Sequence, residues 1–169
     1  MGIRLAINVS PRHIFDESFI SEMTRMRRYT DQLHWELELE IIETSLIEFN
    51  EQLGNQLQML QDQGIRIAID DFGTGYSSLA YLQSLPVNVL KIDRSFITGL
   101  NALGTDISLV RAIIAMAHAL GLEVVAEGIE SEAQRLILCQ LGCKYGQGYG
   151  FARPHYWDAQ LFKKIDMDQ

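Results

Sequence analysis

Three segments of this chain repeat one pattern: an amphipathic helix, a glycine, then an apolar strand. Residues 50–63 place Leu53, Leu57 and Leu60 on one helical face and stop at Gly64, before the run Ile65-Arg66-Ile67-Ala68-Ile69-Asp70. Residues 105–120 place Ile107, Val110, Ile114 and Ala117 on one face and stop at Gly121, before Leu122-Glu123-Val124-Val125-Ala126-Glu127. Residues 131–141 open with the capping box Ser131-x-x-Gln134 and stop at Gly142, before Cys143-Lys144-Tyr145-Gly146-Gln147. Glycine suits the left-handed position just past a helix end. Helices alternating with nearly continuous apolar strands indicate a parallel sheet covered on both sides.

Strands are predicted at residues 4–9, 35–41, 65–70, 87–92, 123–127 and 145–149. A further helix is expected at 17–29, and a short helical turn at 78–83, stopped by Pro86. Every strand closes on a polar group: Asn8, Glu40, Asp70 with Asp71, Lys91 with Asp93, Glu127 and Gln147. A buried strand that ends on a charge must deliver that charge to an opening. An open doubly wound sheet gathers functional groups at one switch point. A barrel places all its strand ends around one rim, which suits the pattern better, but such a barrel needs about eight strands. The expected fold is therefore α/β, an incomplete TIM-like (β/α) barrel of about six parallel strands with intervening helices. No Pro-, Gly- or Ser-rich linker divides the chain, so one domain is expected over residues 3–165, with a tail at 166–169.

Composition excludes several classes. At 169 residues and 47% hydrophobic content, the chain supports one core. A formal net charge of -8 opposes binding of long nucleic acid, which depends on neutralising phosphates. No apolar run approaches bilayer length, and the N-terminus lacks a secretory pattern. Cys139 and Cys143 are too few for a disulfide scaffold and read as two reduced thiols, which points to the cytoplasm.

The sharpest chemical signal is Asp70-Asp71-Phe72-Gly73-Thr74-Gly75. Adjacent residues at a strand end point in different directions, so this carboxylate pair can serve two ions, one residue bridging. The alternative is an Asp-Gly surface turn. Glu40 and Glu43 are the stronger candidates in the run from Glu38 to Glu43, while Glu38 reads as a site residue or a solvated one. Lys91 can hold or polarise a water beside carboxylates, or can simply form a salt bridge with Asp93 or Asp70. Glu127 closes an apolar strand and should point inward. Glu130 lies where it can complement a helix dipole. Asn8 offers a neutral oxygen. Gln147 ends the last strand, and Arg153 is either a phosphate partner or a surface ion pair. Asn8, Glu40, Asp70, Asp71 and Glu127 together form a hard oxygen set, suited to Mg²⁺ or Mn²⁺ rather than zinc. Two such ions about 3.5–4 Å apart would make a hydrolytic site for phosphate esters.

Five ordered blocks carry a family resemblance: Ile7-Asn8-Val9-Ser10, the run 38–45, the long run 70–97, the run 124–131 and the run 147–154. Together they resemble the EAL-domain phosphodiesterases of bacterial cyclic-di-GMP signalling. The resemblance implies a modified TIM barrel that hydrolyses cyclic di-GMP to linear pGpG with two Mg²⁺ or Mn²⁺ ions. It implies that Asn8, Glu40 and Asp70 ligate one ion, with Asp70 bridging to a second held by Asp71 and Glu127. Lys91 would contact the catalytic water, and Glu43 would steady the loop after Asp71. Asp93, Glu130 and Gln147 match further site positions. A homodimer is implied, with the loop 71–78 coupling association to activity. The family's Glu-Ala-Leu tripeptide does not occur here. The resemblance then implies that the chain starts at the family's third strand, with an open barrel edge, one metal carboxylate absent and weak or no turnover alone. The alternative is an inactive EAL-like module that binds cyclic di-GMP or a partner protein.

Overall fold

The computed structural model describes residues 3–44, 51–75, 79–100 and 107–154. The element order is β1 (Arg4–Val9), α1 (Pro11–Ile14), α2 (Phe19–Gln32), β2 (Glu36–Ile42), α3 (Glu51–Asp62), β3 (Arg66–Phe72), α4 (Leu79–Ser84), β4 (Val89–Ile92), α5 (Arg94–Thr98), α6 (Ile107–Ala119), β5 (Glu123–Ala126), α7 (Glu132–Gln140) and β6 (Tyr145–Gly146). The expected domain end at residue 165 and the tail at 166–169 lie outside the described residues, as do residues 76–78 of the loop after Asp71.

All five strand pairings are parallel, and the strands lie in the sheet in chain order, β1 to β6. A doubly wound sheet reverses its strand order partway; this one never does. The result is a half-barrel with β1 and β6 as its edges and all strand C-termini along one rim.

Helix faces follow the sequence periodicity. Leu53, Leu57 and Leu60 of α3 are buried, as are Val110, Ile113, Ile114 and Ala117 of α6. They pack against Leu37, Leu39, Ile41, Ile67, Ile69 and Leu90 in one core cluster. Full burial of such a side chain contributes about 1.5–3 kcal/mol. The three helix-ending glycines, Gly64, Gly121 and Gly142, all have positive φ, as the sequence pattern requires.

Several boundaries differ from expectation, and two helices are additional. The fourth strand starts at Val89 instead of 87, because Asn88 uses its side chain as a bridge: its Oδ1 accepts from Ile67 N and Gln61 Nε2, each at 2.9 Å. β6 stops at Gly146, because the backbone of 147–150 turns onto Ile129: Ile129 N donates to Gln147 O and Gly150 N donates to Ile129 O. Helices α1 and α5 are additional. Each is a single turn with a side-chain N-cap, Ser10 for α1 and Asp93 for α5, and neither is long enough to show a hydrophobic period.

The lumen face of the sheet is ionic. At the base, Glu38 is only 4% exposed and meets Arg66 Nε at 3.2 Å and Arg4 NH1 at 3.4 Å. Arg66 also reaches Glu123 at 2.8 Å. Glu38 is therefore neither solvated nor at the rim. Two residues further along β2, Glu40 belongs to a second ionic layer at the rim. Among the described residues, no helix is long and apolar enough to cross a membrane.

Candidate active site

Lys91 organises the rim. Its ammonium lies 2.7 Å from Glu40 Oε1, 2.7 Å from Glu127 Oε1 and 3.0 Å from Asp70 Oδ1, and the residue is 3% exposed. Three separate strands, β2, β3 and β4, and the end of β5 thus meet on one nitrogen. Burial opposes the charge on Lys91, but its hydrogen bonds to Glu127 and Glu40 and its ion pair with Asp70 outweigh it and hold its pKa above the ordinary range. Lys91 is a cation at any working pH. It pairs with Glu40, Asp70 and Glu127 together; the expected partner Asp93 is not among its ion pairs.

Asp70 and Asp71 converge even though they are adjacent. The β3–β4 register shifts between Ile69 and Phe72, and Asp71 has φ +54°. A bulge of this kind re-aims a side chain, so both carboxylates approach Glu127. Oxygens of Asp70, Asp71 and Glu127 all lie within 4.8 Å of one another. Asp70 Oδ1 is buried and has no hydrogen-bond donor; the Lys91 nitrogen at 3.0 Å gives it charge compensation without a well-aligned bond. Four carboxylates, counting Glu40, face a single ammonium here. The excess negative charge, the hard oxygens and the orphaned Asp70 oxygen all fit a divalent cation.

The surrounding groups hold this set in place. Glu43 is 2% exposed, and its Oε2 accepts from Gly73 N at 2.8 Å and Gly75 N at 3.0 Å. Gln147 Nε2 donates to Glu127 Oε1 at 2.6 Å. Asp93 caps α5 by accepting from Ser95 N at 3.0 Å. A cavity of about 560 Å³ opens beside the cluster, lined by Asp71, Asp93, Glu127, Glu130, Gln147 and Arg153, among others. The Arg153 guanidinium sits 5.0 Å above the Tyr149 ring, a stacked cation facing an acidic cluster. Asn8 is exposed at the end of β1, in register with Glu40 and one strand away. The geometry therefore brings together Glu40, Asp70, Asp71, Lys91, Glu127 and Gln147. Asp93, Glu130 and Arg153 stand at the cavity wall, Glu43 behind the loop and Asn8 at the sheet edge. Tyr149 and Arg94, both on the cavity wall, were not singled out from sequence; the spacing of Tyr149 from Arg153 is the only signal that could have marked one of them. Cys139 is exposed and Cys143 buried, both free.

Two predictions arise from the charges. Burial raises the Glu127 pKa, and burial with the neighbouring charges of Asp70 and Asp93 raises that of Asp71. A carboxyl whose folded pKa is raised costs no stability while protonated; the cost appears as pH rises through the unfolded pKa and is complete above the folded one. A bound cation relieves that cost and requires the ionised form. The rise in Tm given by Mn²⁺ should therefore grow from about pH 4 to pH 8; a shift of equal size across that range would contradict the assignment. In the metal-free chain, Asp71→Asn removes a repelling charge, and Asn tolerates positive φ. Stability should rise by about 0.5–2 kcal/mol while Mn²⁺ affinity falls. Calorimetry of both properties checks the opposite signs.

Parallel strands in chain order, with acidic residues at their C-terminal ends, define a half-barrel whose rim carries a carboxylate group that could hold a metal ion. The match to the EAL domain family covers residues 1–154, and the chain belongs to that family. It is 41% identical over 152 residues to the cyclic di-GMP phosphodiesterase NbdA of Pseudomonas aeruginosa, covering 90% of this chain and 19% of that protein. The EAL domain of Mycobacterium smegmatis DcpA superposes with a TM-score of 0.84 at 37% identity, covering 98% of this chain and 74% of the other. Klebsiella pneumoniae BlrP1, solved as a manganese and cyclic-di-GMP complex, superposes with a TM-score of 0.76 at 28% identity, covering 89% and 39%. The chain spans about a fifth to a third of the length of the curated relatives it matches.

Proposed function

We propose that this chain forms the catalytic rim of a metal-dependent phosphodiesterase that opens cyclic di-GMP to linear pGpG. The observation that carries the reading is the meeting of Asp70, Asp71 and Glu127 within 4.8 Å. Relatives named as cyclic di-GMP phosphodiesterases, and the manganese complex of BlrP1, support the substrate and the metal.

In this reading, Asn8, Glu40 and Asp70 would hold one Mg²⁺ or Mn²⁺ ion and Asp71 and Glu127 a second, with Asp70 able to serve both. Bound ions would acidify a water and offset phosphate charge. The chain's own residues do the rest. Lys91 donates hydrogen bonds from a fixed position among the carboxylates and orients the nucleophile without giving up its proton. Gln147 fixes the rotation of Glu127 through its amide. Glu43 secures the Gly73–Gly75 backbone and with it the aim of Asp71. Asp93 limits the swing of Asp71. Glu130 and Arg153 line the substrate side, where the guanidinium complements a phosphate.

The domain is taken to run from residue 3 to 165, with the product released to the cytoplasm and a homodimer as the working assembly. A second reading, binding of cyclic di-GMP without turnover, is favoured by one observation: the Lys91 ammonium already contacts Glu40 and Asp70, where a cation would sit, while Asn8 is exposed at the sheet edge. Incubating a form extended at the N-terminus by the family's Glu-Ala-Leu segment with Mn²⁺ and cyclic di-GMP separates the two. Appearance of pGpG supports the enzyme, binding without product supports the sensor, and neither would remove both. Sedimentation at several concentrations tests the dimer.

A further inference from the structure

The short helix α5 stands between the two loops that carry the carboxylate cluster. On one side, the Phe96 ring lies against Gly73: a Cβ placed there would come within 2.5 Å of Phe96 Cε2, and Gly73 has φ +101°. On the other, Arg94 Cβ lies against Gly128, just past Glu127, where an added Cβ would meet it at 2.5 Å. Asp93 fixes the start of the helix through Ser95 N.

Its far end is tied down by Gln134. This side chain is 7% exposed. Its Nε2 donates to the Ile97 carbonyl at 3.0 Å, and its Oε1 accepts from Glu130 N at 2.9 Å and Ser131 N at 3.0 Å. One amide therefore closes the capping box of α7 and also fastens α5 to the loop that follows Glu127. A capping box alone needs no bond to another helix.

Without a cation, Asp71 and Glu127 are like charges at close range, and they repel. Something must resist the spreading of their two loops. We infer that α5 is a rigid brace that sets the separation of Asp71 and Glu127, with Phe96 and Gln134 as its positioning residues. Phe96 braces the loop after β3 at Gly73, which Glu43 also holds through its backbone N–H. Gln134 keeps the loop after β5 against the other end of the same helix. The inference rests on the reading of Asp70, Asp71 and Glu127 as a cation site, but its mechanical part is measurable without metal.

Amide hydrogen exchange, read residue by residue by NMR on the metal-free chain, tests the brace. The reporters are the Gly73 and Gly75 amides, both bonded to Glu43. None of the Gln134 bonds reaches either reporter. Gln134→Ala and Phe96→Ala should nonetheless each speed their exchange by about tenfold or more. Met23→Ala, a core change on α2, serves as the control for general loosening. Gln134→Glu keeps the acceptor for Glu130 and Ser131 and replaces the donor to Ile97 with a charged oxygen that repels its carbonyl. It should reproduce the effect should the alanine variant fail to fold. Mn²⁺ affinity, followed by the EPR signal of free Mn²⁺, should fall about 10- to 100-fold in the Gln134 and Phe96 variants and little in Met23→Ala. Reporter exchange no faster in Gln134→Glu and Phe96→Ala than in Met23→Ala would overturn the brace. A wild-type chain that binds no Mn²⁺ would instead remove the cation reading, while exchange at Gly73 and Gly75 would still decide the role of α5.

Discussion

Asp70→Asn should reduce turnover of cyclic di-GMP by about a thousandfold or more, with little change in fold. The substitution keeps the shape and removes one negative charge. Asp70 is the residue that joins the two proposed ion sites, so no remaining oxygen takes over both contacts. A metal ion contributes several kcal/mol to transition-state stabilisation in such reactions, and each 1.36 kcal/mol is tenfold in rate. The comparison should be made in a form extended at the N-terminus by the family's Glu-Ala-Leu segment, at saturating Mn²⁺. Stability should change little, because Lys91 retains Glu40 and Glu127 at 2.7 Å. A mutant within about tenfold of the parent rate would mean that Asp70 does not join two ions.

Lys91→Met should be the most destabilising single change at the rim. It leaves Glu40, Asp70 and Glu127 facing one another with no cation between them. Breaking a buried pair by removing one partner costs about 3–5 kcal/mol, which corresponds to a fall in Tm of about 10 °C for a chain of this size. Two further results distinguish charge from packing. The deficit should shrink on acidification, since protonation removes the repulsion. Saturating Mn²⁺ should restore part of the loss, about 2.7 kcal/mol at a hundredfold excess over Kd. A Tm loss that ignores both pH and metal would assign Lys91 a packing role only.

Where a strand ends on a charge was readable from sequence, because an apolar run that stops at Asp70 or Glu127 is a one-dimensional signal. Strand order was readable only through the barrel reading: polar groups at every strand end suit one rim, whereas the helix–glycine–strand repeat alone also fits a doubly wound sheet. The aim of Asp71 was not, since it depends on a register shift against β4 that a single strand does not encode. Glu38 was ambiguous because a glutamate alternating with leucines looks the same whether it meets water or a pair of arginines; its partners Arg4 and Arg66 sit on other strands. Asp93 was read as a site residue, and it does line the cavity, but its helix-capping role needed the turn of α5 to be seen. For Gln134 the local half of its bonding was legible as a capping box, whereas the bond to Ile97 spans 37 positions and leaves no local trace.

The claim on which the rest depends is that side chains from β3 and the end of β5 jointly hold a divalent ion. Anomalous diffraction from Mn²⁺-soaked crystals tests it directly. The account predicts a manganese peak in contact with Asp70, Asp71 and Glu127, lost in Asp70→Asn. Ordered carboxylates with no anomalous peak among them at saturating Mn²⁺, or a peak elsewhere on the surface, would contradict it.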